Sequence, residues 1–454
     1  MGCGLSAPPR ARRRPIHTAP ERRRLGTRRT APAMREAEFA LAPTTAGDLE
    51  RTIAALQRAR GRLTRSSTAE VVARLVELID AWLAPDSIWF ARAVELLPAA
   101  TGFSPEMVRH ALPTMLAPLR GSALPELLAS EVGEQRGPQR ILHILAGNLP
   151  GLAAIPAVLS LAIGASALLK AGRGDRVFPA LFAASLAQRD ADLGAALAAV
   201  YWPGGDRACE AVALSAADLV VASGDDATIA DLAGRARGRF IGYGHRISFA
   251  VLARAVAEDI DASRRAAAQL AEDVALWDQR GCLSPQLCFV EGSVERATRF
   301  GALVADALRE LAVRLPPAQP TSAERLAVRR LRDAVEWSGL AGERAALFAL
   351  DDEAHGTVVV EPQPEFRPSP LCRSLRVQPI ADLSQLATVL APARRVLEGA
   401  GLAAPADRRS SLTRFLHAQG VHRVCGFGEM QRPPLHWRQG GLPRLGAWIG
   451  ERQA

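Results

Sequence analysis

The chain has almost no lysine. Of its 454 residues, 56 are lysine or arginine, and Lys170 is the one lysine among them. Since arginine serves wherever any cation suffices, we expect position 170 to need a compact ammonium group that a planar guanidinium cannot replace. The alternative is a surface lysine that has persisted by drift.

Two glycine-rich nucleotide motifs are also missing. No G-x-G-x-x-G follows the first predicted strand, and no G-x-x-x-x-G-K-[ST] occurs anywhere in the chain. These absences exclude the standard Rossmann fingerprint and the Walker phosphate loop. A dinucleotide, if the chain binds one, is held in another way.

Cysteine is scarce as well. The six cysteines, at positions 3, 209, 282, 288, 372 and 425, show neither a C-x-x-C motif nor a Cys/His ligand spacing. We therefore predict no metal site and no disulfide framework, and we expect reduced thiols in a cytoplasmic protein. Any one of these thiols is available as a nucleophile.

Acidic residues are nearly absent from the N-terminus. Residues 1–33 contain nine arginines and one acid, so they carry almost all of the net charge of +9. We predict that this segment is a disordered tail and that the nearly neutral remainder has no nucleic-acid partner. The alternatives for the tail are a start codon assigned too early, with Met34 as the true start, a dispensable extension, a transit peptide, or, through its opening MGCGLS, a myristoylation signal.

One long run, residues 141–169, contains no charged residue and is long enough to suggest a membrane span. Five helix-breaking or turn residues interrupt it: Asn148, Pro150, Gly151, Pro156 and Gly164. Their intervals suit a strand, a turn, a helix and a second strand, and buried parallel strands are almost continuously apolar. We therefore predict no integral membrane segment.

Short apolar runs alternate with alanine-rich helical stretches over residues 140–244, which favours an α/β fold. The predicted strands, each ending in glycine, are RILHILAG, SALLKAG, LAAVYWPGG, DLVVASG and RFIGYG, with helices near 151–162, 177–198, 206–216 and 225–236. This βαβ rhythm predicts an open parallel sheet whose ligands bind at the carboxyl ends of the strands. Residues 48–130 are predicted to be mostly helical.

A second α/β region is predicted after residue 246. It begins with a long helical stretch to Trp277, continues with GCLSPQLCFVEG and with helices to about residue 343, and ends with the strands GTVVVEP and SLRVQPI. Gly281 places Cys282 on a turn before an apolar strand, where backbone N–H groups lower the pKa of a thiol. Cys288 fits an ordinary buried residue within that strand, and the same interpretation remains open for Cys282.

Several ordered motifs carry a family resemblance. They are GNLPG at 147–151, LLKAG at 168–172, VASG at 221–224, GYGHR at 242–246 and DQRGCLSPQ at 278–286. With them the chain resembles the aldehyde dehydrogenase superfamily, and more closely the LuxC-like acyl-CoA reductases. The resemblance is strong over residues 140–300 and continues weakly through VHRVCGFGEMQRPPLHWRQGG.

The resemblance implies an aldehyde-dehydrogenase-like fold in four parts. After the tail 1–33 come a helical region with a parallel-sheet dinucleotide-binding domain over 34–245, and an α/β catalytic domain over 246–424. Residues 425–454 return toward the cofactor domain. Relatives by fold usually associate, so a homo-oligomer is also compatible with the resemblance.

The resemblance also assigns roles to individual residues. Cys282 matches the nucleophile, and Asn148, with the Cys282 amide, matches the oxyanion hole. Lys170 matches a ribose-binding lysine, while Ser223 and Gly224 match the turn beside the cofactor pyrophosphate.

One departure from the superfamily concerns a carboxylate. Ile241 lies near the place of the glutamate that activates hydrolytic water in oxidising members, so an acyl thioester on the enzyme would persist until it is reduced. His245 is either a proton donor or a structural residue. The alternatives are an oxidising aldehyde dehydrogenase and a catalytically silent scaffold.

The substrate and cofactor predictions follow from the same resemblance. It implies reduction of an acyl-CoA or acyl-carrier-protein thioester to an aldehyde. Arg173 follows Lys170 closely and Arg176 lies just beyond, and such cations favour the 2′-phosphate of NADPH, whereas an acid favours NAD.

Overall fold

The computed structural model describes residues 1–2, 39–133, 135, 137–350 and 356–450. Apart from its first two residues, the predicted tail 1–33 lies outside the described residues. The α-helices are α1 (Ala46–Leu63), α2 (Thr68–Leu83), α3 (Ile88–Thr101), α4 (Pro105–Leu116), α5 (Ala123–Glu131), α6 (Ala154–Ala162), α7 (Phe178–Arg189), α8 (Ala191–Ala195), α9 (Arg207–Ala216), α10 (Asp226–Arg235), α11 (Arg254–Glu258), α12 (Ile260–Ala275), α13 (Val294–Arg314), α14 (Ser322–Leu340), α15 (Leu386–Leu390), α16 (Ala406–Ala418) and α17 (Gly446–Ile449). The strands are β1 (Arg140–Ile144), β2 (Ser166–Lys170), β3 (Leu197–Val200), β4 (Leu219–Ser223), β5 (Arg239–Tyr243), β6 (Ile247–Leu252), β7 (Pro285–Glu291), β8 (Ala346–Ala349), β9 (Thr357–Val360), β10 (Ser374–Ile380), β11 (Leu397–Ala403) and β12 (Arg423–Cys425).

The first sheet is parallel and has the order β3-β2-β1-β4-β5. Its strands lie where the five apolar runs predicted them, and the predicted helix near 177–198 is divided into α7 and α8. The order reverses between β1 and β4, which opens a crevice at their carboxyl ends. Asn148 follows β1 at this edge, and Lys170 and Ser223 end β2 and β4 there.

Both faces of this sheet are covered, which explains its nearly continuous apolar runs. Ile141 and Leu169 pack in a core that includes α6 and α7, while Leu142 and Leu168 pack in a core with α1 and α9. Alternate side chains of one strand therefore enter different cores. The N-terminal helices α1 to α5 confirm the predicted helical region.

The second sheet has the order β12-β11-β6-β7-β10-β9-β8, and its pairs are parallel except for β8 with β9. The prediction of continuous helix from residue 246 to Trp277 is wrong at its start, because Ile247–Leu252 forms the strand β6. All six residues of β6 are buried. Such a run has no period-two alternation, so its sequence does not separate a buried strand from a buried helix.

The two capping boxes explain where α2 and α14 begin. Ser67 accepts a hydrogen bond from the Glu70 amide, and Glu70 accepts one from the Ser67 amide; Thr321 and Glu324 repeat the arrangement. Each pair satisfies two amides that a helix leaves without partners at its first turn. Within the described ranges, no helix has both the length and the apolar character needed to cross a membrane.

Candidate active site

Cys282 follows a turn of unusual backbone conformation. Trp277, Asp278 and Gln279 have φ values of 53°, 49° and 67°, in the left-handed region that side chains other than glycine rarely adopt. The Gln279 Nε2 group donates to the carbonyl oxygens of Pro285 and Ser374, both at 2.7 Å. These bonds hold the turn, and they place Cys282 directly before β7.

A buried ion pair also stabilises the turn that precedes Cys282. Arg373 and Asp278 are almost fully buried, and their charged groups are 2.7 Å apart. Arg373 itself ends a second left-handed run that starts at Leu371. The ion pair therefore joins the two turns, and each turn holds the other in its strained backbone conformation.

Cys282 lies on the predicted turn and is exposed. The expectation that its pKa is lowered is wrong. Desolvation by the surrounding protein and, next, the charge of Glu398 raise the pKa to about 12, while its own amide, Arg444 and Arg246 only partly oppose this. The Ser248 hydroxyl donates to the Cys282 carbonyl oxygen at 2.7 Å and so fixes the backbone at Cys282.

The loop after β1 meets the cysteine turn. Asn148 Nδ2 donates to the Arg280 carbonyl oxygen at 2.7 Å, and Asn148 Oδ1 is buried without a hydrogen-bond partner. Leu149 lies beside Gly281, 3.5 Å from the position of an added Cβ. Because an amide nitrogen carries two hydrogens, Asn148 Nδ2 keeps a second hydrogen that the bond to Arg280 does not use.

The loops after β1 and β2 approach each other through glycines. Gly147 has a φ of +71°, and a Cβ at this position would lie 2.7 Å from the Gly172 Cα. Gly172 in turn lies against the backbone of Ala146 and Gly147. Side chains here would separate the two loops, so the glycines of GNLPG and KAGRG shape this edge of the sheet.

Gly147→Ala should reduce the free energy of unfolding by roughly 3 kcal/mol or more, because left-handed strain adds to a backbone clash. The matched control is Gly164→Ala, because Gly164 also has a positive φ of +75° but an added Cβ there would meet only open space. Strain alone predicts a loss of only about 1–2 kcal/mol at Gly164. Urea unfolding of both variants measures the difference, and equal losses would contradict the close approach.

Lys170 ends β2 and lies beside two aromatic rings. Its Nζ is 5.8 Å from the Tyr201 ring centroid and 5.9 Å from that of Trp202. Burial lowers the pKa of the ammonium group, and the charge of buried Glu210 partly offsets this. Within the described ranges Nζ has no hydrogen bond or ion pair, so its donors are available to a ligand.

The two arginines predicted beside the cofactor differ in their surroundings. Arg173 is exposed, and none of the described residues binds its side chain. The Arg176 guanidinium stacks over Tyr201, 5.1 Å from the ring centroid, and so shares that ring with Lys170. Asp175, between them, is buried and accepts hydrogen bonds from the first amides of α7.

Ser223 and Gly224 end β4 and adjoin the loop after β5. The Gly224 amide donates to the Tyr243 carbonyl oxygen at 3.2 Å. Asp226 accepts a hydrogen bond from the His245 amide at 2.9 Å, while the His245 imidazole is exposed. The charged residues with the largest effect on the pKa of the Cys282 thiol are Glu398, Arg444 and Arg246, and His245 is not among them.

Three further charged side chains act on the pKa of the Cys282 thiol, and sequence reasoning did not select them. Glu398, from β11, is fully buried, Arg444 is almost fully buried, and Arg246 is one-quarter exposed. Arg444 stacks on Trp437 at 5.3 Å. The Cys282 site therefore contains one buried carboxylate and two guanidinium groups.

The C-terminal segment packs against both sheets. Asp273, at the end of α12, accepts hydrogen bonds from the amides of Gly428 and Met430 at 2.6 and 3.0 Å, and burial raises its pKa to about 7. Further along, Arg239 in β5 donates to the Trp448 carbonyl oxygen at 2.6 Å. Gln431 also donates to the Ser284 hydroxyl beside Cys282, so residues 426–450 pack against the Cys282 turn and reach the first sheet.

A comparison with protein families identifies the family to which the chain belongs. The family model described as acyl-CoA reductase (LuxC) matches residues 63–442, most of the chain. The chain belongs to this family. A search of the curated proteins finds no match.

The fold of this LuxC-family chain is that of aldehyde dehydrogenases. The NAD-dependent benzaldehyde dehydrogenase of Corynebacterium glutamicum has a TM-score of 0.64 and 13% identity, over 87% of this chain and 89% of its own. Aldehyde dehydrogenase 21 of Physcomitrella patens, in complex with succinate, has a TM-score of 0.64 and 12% identity over 90% and 89%. Aldehyde dehydrogenase C of Pseudomonas syringae, a mutant in complex with NAD⁺ and octanal, has a TM-score of 0.62 and 18% identity over 84% and 81%.

In this reductase-family chain, the predicted site residues fall into two groups. Cys282 and Asn148 meet at one edge of the crevice, through the contact of Asn148 with Arg280. Lys170 and Arg176 meet on Tyr201. No group of three or more potential metal ligands occurs among the described residues.

Proposed function

We propose that this protein reduces a fatty acyl thioester, carried by CoA or by an acyl-carrier protein, to the aldehyde with NADPH. The observation that carries the proposal is the exposed Cys282 thiol, held on a rigid turn beside the free amide hydrogen of Asn148. Membership of the acyl-CoA reductase (LuxC) family supports the choice of substrate.

Cys282 would act as the nucleophile. Its thiolate attacks the thioester carbonyl, the S–C bond to CoA or carrier breaks, and an acyl-enzyme remains on Cys282. Asn148 Nδ2 and the Cys282 amide would donate to the oxygen that becomes negative, each worth about 3 kcal/mol by analogy with other oxyanion holes.

Residue 241 supports the reductive direction. Ile241 lies in β5, paired with Val221, and packs against the main apolar core. It has no carboxylate to activate water, so hydrolysis of the acyl-enzyme would be slow. The acyl group would then stay on Cys282 until it is reduced.

The carboxyl edge of the first sheet fits a nicotinamide dinucleotide. Lys170 offers an unpaired ammonium group, and Ser223 lies at the reversal of strand order. Gly147 and Gly172 let the loops after β1 and β2 lie against each other at this edge. When bound, the cofactor supplies the hydride that converts the acyl group to an aldehyde. Lys170 would bind the ribose hydroxyls, and a similarly folded aldehyde dehydrogenase was solved with NAD⁺ and octanal.

A panel of acyl-CoAs of graded chain length, incubated with NADPH, tests the function. The proposal expects aldehyde to accumulate with matching oxidation of NADPH. Formation of acid from added aldehyde and NADP⁺, with no reduction of any acyl-CoA, would instead identify an oxidising dehydrogenase. Absence of both reactions would support a silent scaffold.

Arg173→Glu should lower the NADPH to NADH ratio of kcat/KM by about tenfold or more, because the 2′-phosphate would lose a cation and meet a negative charge. Arg176→Glu should act in the same direction, since Arg176 shares the Tyr201 ring with Lys170. Arg330→Glu, an exposed charge reversal on α14, is the matched control. An unchanged ratio in both Arg173→Glu and Arg176→Glu would overturn the assignment of NADPH.

A further inference from the structure

Helix α14 presents large apolar side chains to solvent. Among the described residues eight large apolar side chains are exposed, and three of them belong to this helix: Leu326, Trp337 and Leu340, with exposed fractions of 51%, 71% and 80%. Single exposed apolar residues are ordinary, but a tryptophan and two leucines on one helix indicate a surface that binds a partner.

These three residues belong to a face with the spacing of a coiled-coil seam. Its members recur at alternating intervals of three and four residues, as positions a and d of a heptad do: Ala323, Leu326, Arg330, Asp333, Trp337 and Leu340. All six are exposed or half-buried, whereas Val328, Leu331 and Val335 on the opposite face are buried. We call the six residues the α14 seam.

The helix that carries the α14 seam is fixed in place by its other face. Leu331 and Val335 pack with Val359 of β9 in a small core of their own. The capping box of Thr321 and Glu324 satisfies the amides of the first turn. Because the helix is already ordered, a partner that binds the seam does not have to order its backbone.

The two charged residues of the seam have opposite signs. Arg330 forms no hydrogen bond or ion pair with any described residue, and Asp333 has an exposed ion pair with Arg329 at 3.3 Å, of a kind that contributes little stability. An acidic carrier protein or an anionic membrane would attract Arg330 but repel Asp333. The seam instead fits a partner that presents an acid to Arg330, a base to Asp333 and apolar side chains on either side.

A second copy of α14, laid antiparallel to the first, presents this arrangement. In an antiparallel pair each a position faces a d position of the other helix, so Arg330 faces Asp333 of the second copy. Trp337 then faces Leu326 of the second copy, and two-fold symmetry repeats each contact. A parallel pair would instead bring arginine against arginine and aspartate against aspartate. The charges of the seam therefore select the antiparallel pair.

We propose that two copies of this chain associate through the α14 seam, with their α14 helices antiparallel. Trp337, a residue type enriched at the energetic centres of interfaces, would be covered by leucine, and the central charges would be paired. The contact does not depend on the reaction proposed for Cys282, which lies on another element. Either proposal can therefore fail without the other.

Sedimentation equilibrium of the full chain tests the contact. The wild-type protein should contain an even number of copies, and Trp337→Asp should halve that number, because a carboxylate would be buried against leucine twice in each pair. Ile88→Asp, at an exposed apolar position that begins α3, is the matched control and should keep the wild-type mass. A wild-type protein that sediments as a single chain, or an unchanged mass in Trp337→Asp, overturns the proposal.

Exchange of the two charges tests the antiparallel register. Arg330→Asp and Asp333→Arg should each weaken the association by about a hundredfold, because each places like charges opposite one another in two symmetric contacts. The double variant Arg330→Asp/Asp333→Arg restores opposite charges and should recover most of the affinity. A double variant as weak as the single variants overturns the antiparallel pair, since a parallel pair predicts no recovery.

Vesicles of phosphatidylglycerol distinguish a second copy of the chain from a lipid surface. The paired wild-type protein should stay in solution when the vesicles are pelleted, because Asp333 disfavours an anionic surface and the apolar residues of the seam are already covered. Wild-type protein that pellets with the vesicles as a single chain, and Trp337→Asp that does not, would assign the seam to a membrane and overturn the proposal.

Discussion

Cys282→Ala should abolish both acyl labelling and turnover, whereas Cys288→Ala should keep most of both. The two cysteines are six residues apart in the sequence but differ in access. Cys282 is exposed on the turn beside Asn148. Cys288 is fully buried in β7, where burial raises the pKa of its thiol even further.

The measurement is incubation with a radiolabelled acyl-CoA in the absence of NADPH. Without a reductant the acyl-enzyme should accumulate, and neutral hydroxylamine should remove the label, as expected for a thioester. Ser248→Ala is a useful intermediate case, because it removes the bond to the Cys282 carbonyl oxygen but leaves the thiol. Label that survives in Cys282→Ala would show that another thiol is the nucleophile.

The first sheet was predictable because its determinants are local. Each strand is a short apolar run that ends in glycine, and each helix between strands spans 9 to 12 residues, with α8 added as a short piece before β3. The glycine-bounded turns at Gly147 and Gly172 also follow from sequence, since both positions need a residue without a side chain. Lys170 was first singled out by its rarity, and the family resemblance then assigned it a role.

The second sheet was harder to predict because its order is not sequential. Strand β6 lies between β7 and β11, and β11 is about 150 residues further along the chain. Glu398 acts on the pKa of the Cys282 thiol only through this pairing, and Arg444 only through the fold of the C-terminal segment. The motif GYGHR included Arg246, but nothing in the sequence connects it to Glu398.

The pKa of Cys282 was wrongly predicted for a related reason. A glycine-flanked turn indicates nearby amides, and amides favour a thiolate. Desolvation depends instead on how much protein surrounds the sulfur, and the turn motif does not reveal this. Two of the charges that act on the thiol, Glu398 in β11 and Arg444 in the C-terminal segment, are also distant from it in sequence.

Asn148→Ala should reduce the rate of Cys282 acylation by about 10²–10³-fold, the usual effect of removing one oxyanion-hole donor. Asn148 is the chain's only asparagine, and it precedes Leu149, which packs beside Gly281. Its second amide hydrogen is the one available to the substrate oxygen, because the first binds Arg280. In Asn148→Ala the negative oxygen would form without this donor.

The hydrogen bond from Asn148 to the Arg280 carbonyl oxygen offers a second explanation for slower acylation, namely that Asn148 holds the turn in place. Alkylation by iodoacetamide distinguishes the two explanations. Alkylation forms no oxyanion, so Asn148→Ala should alter the alkylation rate of Cys282 by less than about threefold while acylation falls steeply. Gln279→Ala is the contrasting variant, because it removes three hydrogen bonds that hold the turn and should slow both reactions. If Asn148→Ala slowed alkylation as much as acylation, Asn148 would position the turn and not stabilise the oxyanion.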